Sequence, residues 1–298
     1  MRYSVSSLLI ICISSVTFAH DVGDSVVVVA DQKAELKAGD KVVGTVGRGS
    51  ILRVDNVNGD WLWVISEGKK GWIHSRNVIE SDKAIKFFTD AILENPNASM
   101  EHYLRARLWV EKEDFDKAIT DYSIAIRLDP SNLNAYFSRS YTWGEKGEYD
   151  KAIADISHVI RFASKHAPAY YNRGGHFLEK TEYDKALADF NEAIRIDPRS
   201  FGAYNNLSFL YATCPDDKYR DGKKAVEYGL KACEVTDWKN DHAVDTLSSA
   251  YAENGDFESA IKWLEKAVEM NPTNVVDSRK KKMALFKAGK PYRFQPGK

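Results

Sequence analysis

An excess of charge of one sign is missing from this 298-residue chain: 42 Lys and Arg stand against 43 Asp and Glu, a net charge of -1. No overall field therefore draws it to nucleic acid or to an acidic membrane. Cysteine is scarce. Of the three present, Cys12 falls in an N-terminal apolar stretch, leaving Cys214 and Cys233 in the rest of the chain. Signatures of catalysis are missing too: no His-Glu-x-x-His, no Cys-x-x-Cys, no glycine-rich phosphate loop and no nucleophile-elbow serine. Among the seven histidines, His102 falls at a helix-packing position, and Cys214, followed by proline in a charged loop, reads as a loop anchor rather than a nucleophile. The expectation is a protein that is not an enzyme and uses no cofactor and no metal. After the first nineteen residues no apolar run reaches the roughly 20 residues that span a bilayer.

Those nineteen residues run from Arg2 through Leu8, Leu9, Ile10, Ile11, Cys12 and Ile13 to Thr17-Phe18-Ala19. A basic start, a short apolar core and a small residue at the end read as a secretory signal peptide over 1–19, cut after Ala19. The alternative is an uncleaved anchor, for which the apolar run is short. Export to the periplasm or beyond would place Cys214 and Cys233 where thiols oxidise. They could form a disulfide that ties a loop to its helix, or Cys233 could be a reduced core residue.

From residue 82 onward the sequence echoes itself. Alanine recurs at Ala84, Ala118, Ala152 and Ala186, every 34 residues, then at Ala225 and Ala260 after an insertion and one extra residue. An aromatic precedes it by three in Phe115, Tyr149, Tyr183 and Phe257, and apolar or small residues follow at offsets of four and seven, on one helical face. A preceding helix carries its own series: His102, Ala106, Trp109; Tyr136, Ser140, Trp143; Tyr170, Gly174, Phe177; Tyr204, Ser208, Tyr211. Pro96, Pro130, Pro198 and Pro272 stop the second helix of a unit. Each unit is therefore two antiparallel helices, and because one hairpin buries too little to offset the entropy of ordering it, units must stack into a mostly α superhelix.

Tyr170-Tyr171-Asn172-Arg173-Gly174, Tyr183-Asp184-Lys185-Ala186 and Ile196-Asp197-Pro198 closely resemble the tetratricopeptide repeat family. The resemblance implies five repeats within 99–274, at 99–132, 133–166, 167–200, 201–240 and 241–274, with a half-repeat helix at 81–98. Glu113 and Thr181 stand where the family has glycine, and Ser164 replaces a stopping proline. The stretched fourth unit, Ala212 to Ala225 and on through Lys231-Ala232-Cys233-Glu234 and Trp238-Lys239-Asn240, resembles a segment common in planctomycete-type bacterial repeat proteins.

Residues 20–80 differ in kind, with β-type alternation and glycine-bearing turns. Ile51-Leu52-Arg53-Val54, Gly59-Asp60-Trp61-Leu62-Trp63-Val64 and Gly71-Trp72-Ile73 resemble the bacterial SH3-like barrel family. Trp61, Trp63 and Trp72 could bind a peptide or glycan, or some of them could fill the core; alternation sends Trp61 and Trp63 to one face and Leu62 to the other. With only two residues between Ile79 and the half-repeat helix, the barrel is expected to dock on the first full repeat. Residues 275–298 read as a basic capping helix and tail. Val276, Met283, Leu285 and Phe286 would cover the last repeat, and the lysines would form the solvated side.

In the tetratricopeptide family first helices line a concave groove. That resemblance makes Tyr103, Phe137 and Tyr171, with Arg107, Tyr141 and Phe209 a turn further on, candidates for partner contact; packing between first helices is the alternative. Asn205 is a further candidate, although lysines of the family's carboxylate clamp are missing. The function expected is a scaffold in the envelope or secreted space that binds a protein or peptide through this groove. The alternative is a tether whose barrel binds cell-wall peptide or glycan.

Overall fold

The computed structural model of the protein describes residues 25–30, 33–66, 69–272 and 277–295; the expected leader, His20 and Val276 lie outside them. The described residues form two compact units, one ending at Pro96 and the other beginning at Asn97.

Among its described residues the first unit holds seven strands: β1 (Ser25–Val28), β2 (Ala34–Ala38), β3 (Lys41–Val46), β4 (Ile51–Asn58), β5 (Trp61–Ser66), β6 (Lys69–His74) and β7 (Val78–Glu80). They form one sheet in the order β3-β2-β6-β5-β4-β1-β7 with antiparallel pairing throughout. Every strand supplies at least one residue to a single apolar cluster, among them Val26, Leu36, Val46, Leu52, Leu62, Ile73 and Val78. Seven strands lying flat at about 4.8 Å spacing could not share one cluster, so the sheet curls around it. The Asn58-Gly59-Asp60 turn between β4 and β5 needs Gly59 at φ 58°, a left-handed conformation that glycine adopts without a Cβ penalty. Helix α1 (Ser81–Glu94), with Ala84 and Phe88 buried, packs on β1 and β7 and so groups with the strands.

The second unit is the expected stack of hairpins. They are α2 (Ser99–Glu111) with α3 (Phe115–Leu128), α4 (Leu133–Glu145) with α5 (Tyr149–Phe162), α6 (Ala167–Glu179) with α7 (Tyr183–Ile196), α8 (Phe201–Thr213) with α9 (Gly222–Val235), and α10 (Asp241–Glu253) with α11 (Phe257–Met270). The last described helix is α12 (Asp277–Lys287). The alanines Ala118, Ala152, Ala186, Ala225 and Ala260 are wholly buried where the two helices of a hairpin meet. Small residues oppose them on the first helix. Ser140 and Ser208 donate their hydroxyls to the carbonyls of Ala152 and Ala225, each at 2.8 Å, and at Gly174 a Cβ would stand 2.6 Å from the Phe190 ring.

Helix starts follow the capping rule. Asp114, Asn132, Asp221, Asn240 and Asp256 each accept a backbone N–H three residues ahead. The inter-helix turn explains the missing glycines: Gly147 and Gly255 are left-handed there, and Glu113 and Thr181 adopt the same conformation at φ 58° and 60°. For a β-branched threonine that is a strained position.

The fourth hairpin carries the insertion. Its loop turns once at Asp217–Tyr219, and Arg220 gathers it by donating to the carbonyls of Cys214 and Pro215, both at 3.0 Å. The disulfide does not form: Cys214 and Cys233 are both free and buried, in clusters centred on α6–α8 and on α9–α10 respectively. The alternative for Cys233, a reduced core residue, is what the structure contains, and burial pushes its thiol up to about 12.

Candidate partner-binding faces

Along the second unit the first helices α2, α4, α6, α8 and α10 are successive neighbours and share one face. The expected groove residues divide on it. Tyr103 packs into the clusters around Ala106, Ala118 and Tyr122 and around Ala125 and Ala135. Tyr171 lies against Gly202 of the next repeat, where a Cβ would be 3.1 Å from its ring. Both are half-buried in these contacts, and burial raises the Tyr171 phenol above its ordinary value. Phe137 is shared, since it packs on Ile156, Val159 and Ala169 yet also borders a hollow of about 180 Å³. Arg107, Tyr141, Glu111 and Thr142 line the same hollow. Tyr141 is 50% exposed there.

A second hollow, about 390 Å³, lies where α6, α8, α10, α12 and the C-terminal segment meet. Asn205 and Phe209 line it with Asn206, His242, Asp245 and Lys282. The Oδ1 atom of Asn205 is buried and makes no hydrogen bond. Leaving such an acceptor unsatisfied costs about 1–3 kcal/mol, which a bound N–H donor would recover. Lys282 is itself engaged, with its ammonium 3.0 Å from Asp245 Oδ1.

The basic tail departs from expectation. Met283, Leu285 and Phe286 do pack on Ala252, Ala260 and Leu264. However, Arg279 and Lys282 are buried rather than on a solvated face, because Asp241 and Asp245 of α10 neutralise them. Arg279 Nη2 reaches Asp241 Oδ2 at 2.7 Å. Among the described residues of the tail the exposed cations are Lys280, Lys281, Lys287 and Lys290.

Sequence reasoning overlooked the arginines one period apart. Arg105, Arg139 and Arg173 each grip, with two parallel bonds of 2.7–2.8 Å, the aspartate sixteen residues on: Asp121, Asp155 and Asp189. Arg139 and Arg173 also donate Nη1 to Ser123 and Ser157 of the preceding repeat. Each pair ties the two helices of one repeat together, and the serine bonds of Arg139 and Arg173 tie that repeat to the one before it. Their 34-residue recurrence was visible in the sequence as plainly as the alanine's. His102 joins the first of them, 3.1 Å from Asp121, in the structural role expected of it.

In the sheet unit, Leu62 and Val64 point into the core, and Trp61 and Trp63 occupy the other face of β5. None of Trp61, Trp63 and Trp72 belongs to the core cluster, contrary to the reading in which some fill it. Trp63 and Trp72 meet edge to face across the β5–β6 pair at 5.2 Å, and Trp61 lies 5.0 Å from His74. Trp61 and Trp72 border a hollow of about 350 Å³ with Lys37, Asp40 and Asn58. Among the described residues no group of acidic, histidine or cysteine side chains could hold a metal ion, and no helix is long and apolar enough to cross a membrane.

Models of the tetratricopeptide repeat match residues 103–165, 167–200 and 242–274. The helical unit carries tetratricopeptide repeats. Solved structures agree on the fold of this unit. A chain of the APC/C hetero-tetramer Cut9–Hcn1 is 15% identical with a TM-score of 0.60, over 70% of this chain and 40% of that one. A thermophilic TPR protein of Thermus thermophilus is 17% identical with a TM-score of 0.53, over 64% of this chain and all of the other. A tetratricopeptide repeat protein of Parabacteroides merdae gives 17% and 0.51, over 64% and 74%. None of the curated proteins compared with the sequence matches it.

Proposed function

We propose that the protein is a non-enzymatic scaffold that holds a protein or peptide partner on the face formed by the first helices of its repeats. The buried, unpaired Oδ1 of Asn205 beside a hollow large enough for a side chain carries this reading. Tyr141, an exposed aromatic of low rotamer cost at the other hollow, supports it. The leader pattern of residues 1–19 supports export to the envelope or beyond.

The test is capture from an envelope extract by the mature chain and by a Tyr141→Ala, Asn205→Ala double variant of equal helicity. A partner retained by the first and lost by the second is expected. Identical capture by both would refute the assignment of this face.

A second reading rests on the sheet unit, where Trp61, Trp72, Lys37 and Asp40 around one hollow suit a sugar or short peptide. It requires co-sedimentation with purified cell-wall polymer that Trp61→Ala and Trp72→Ala abolish and the groove variant leaves intact.

A further inference from the structure

The first-helix face is covered at one end and open elsewhere. Tyr141 on α4 is half exposed, whereas residues 291–295, which have no regular secondary structure, lie against α8 and α10. Tyr292 and Phe294 form part of the wall of the 390 Å³ hollow beside Asn205.

The segment is held by contacts of a kind any peptide can make. The Arg293 guanidinium stands 2.6 Å from Glu253 Oε2 and reaches the Ala212 carbonyl at 3.4 Å. The Phe294 N–H donates to the carbonyl of Thr213 at 2.9 Å. Thr213 ends α8, and the last carbonyls of a helix have no partner within it. The edge-to-face contact of Phe294 with Phe209 is 5.2 Å between centroids. Tyr292 packs on the cluster around Phe286, with the Lys282 ammonium 5.4 Å from its ring. Glu253 also receives Arg220 of the insertion at 3.3 Å, so an acidic end to the site is built by α10 and anchored from two sides.

We propose that residues 291–295 are a built-in ligand. On this view the α8–α10 face recognises a peptide bearing an arginine followed directly by an aromatic residue, and Tyr292-Arg293-Phe294 fills that place until such a partner displaces it. The proposal rests on the reading that this face binds partners and specifies their chemistry. A segment joined to α12 by three residues competes at an effective concentration on the order of millimolar. With the segment itself binding the face at micromolar affinity, a competing peptide therefore binds the intact chain on the order of 1,000-fold more weakly than the vacated face.

The probe is a fluorescent, C-terminally amidated peptide Gly-Lys-Pro-Tyr-Arg-Phe-Gln, copied from residues 289–295, followed by anisotropy. The full-length double variant Arg293→Glu, Phe294→Ala should bind it at least tenfold more tightly than the unaltered chain. Adding Glu253→Gln to that variant should remove most of the gain. Equal binding by both chains, or none by a released variant of unchanged helicity, would overturn the proposal. So would a concentration-dependent dimer of the unaltered chain that vanishes in the released variant, which would assign the contact to exchange of tails between copies. If envelope capture through Tyr141 and Asn205 succeeds while the probe fails, the built-in ligand alone is wrong; if capture fails as well, the groove reading falls with it.

Discussion

His176 shows what a single side chain contributes to this stack. It sits where α4, α5 and α6 meet, with its Nε2 3.4 Å from Ser140 Oγ and its ring 6.1 Å from that of Tyr149. Gly144 is required opposite it, since a Cβ there would lie 2.5 Å from Cε1. Burial lowers its pKa to about 4. The unfolded chain, titrating near 6.5, takes up a proton that the folded chain refuses, so this contribution to stability is complete above pH 6.5 and lost as the pH falls toward 4. The loss reaches on the order of 3 kcal/mol for a wholly sequestered ring, and less where water touches it. Urea unfolding at pH 7 and pH 4.5 should show a smaller acid-induced loss for His176→Gln than for the unaltered chain. Parallel losses would show that His176 does not carry this term.

Between elements, the arginine–aspartate pairs join the two helices of a repeat, and the chain contains its own control. In the fourth and fifth repeats the same positions hold Leu207 with Tyr228 and Leu247 with Trp263, packed in apolar clusters. Removing one partner of a buried pair leaves a charge stranded, whereas replacing both with packed apolar groups is close to neutral. Arg139→Leu alone should therefore cost about 3–5 kcal/mol in urea unfolding. The double change Arg139→Leu, Asp155→Tyr, copying the fourth repeat, should recover most of that loss. A double variant as unstable as the single one would show that the pair does more than neutralise itself.

For the whole molecule, the question is how an open-ended stack is closed. The α12 helix closes it by placing Phe286 over Ala260 and Leu264 and by neutralising Asp241 and Asp245. Burial pushes the Asp241 carboxyl up, but the Arg279 hydrogen bond and the charges of His242 and Arg279 together outweigh this and leave its pKa lowered. A chain ending at residue 272 should lose at least about 2–3 kcal/mol, the worth of one buried aromatic, along with cooperativity at that end. A chain ending at residue 290 should keep its melting temperature within a few degrees. Equal losses from both truncations would assign the closure to residues 291–295 instead of α12.

Much of this architecture was legible in the residue order. Alanine every 34 residues with an aromatic three before it names the hairpin, because only a small side chain allows two helices to approach so closely, and that demand recurs with each unit. The alternation around Leu62 likewise separated it from Trp61 and Trp63, since a strand's side chains alternate whatever surrounds it, but which of the two faces is buried was decided by the curl of the sheet around Leu62 and Val64. Tertiary structure alone decided the rest. Tyr103 and Tyr171 share a helix position with Phe137, yet Tyr103 packs partly on Ala135 and Tyr171 on Gly202 of the following repeat. Arg279 and Lys282 sit in a run of lysines, yet α10 aims two carboxylates at them. The place of Tyr292-Arg293-Phe294 depends on Phe209, Thr213 and Glu253, between 40 and 85 residues away in the chain by about that many peptide bonds. Periodicity reports what each unit repeats; which surfaces stay open depends on contacts between segments that no local pattern relates.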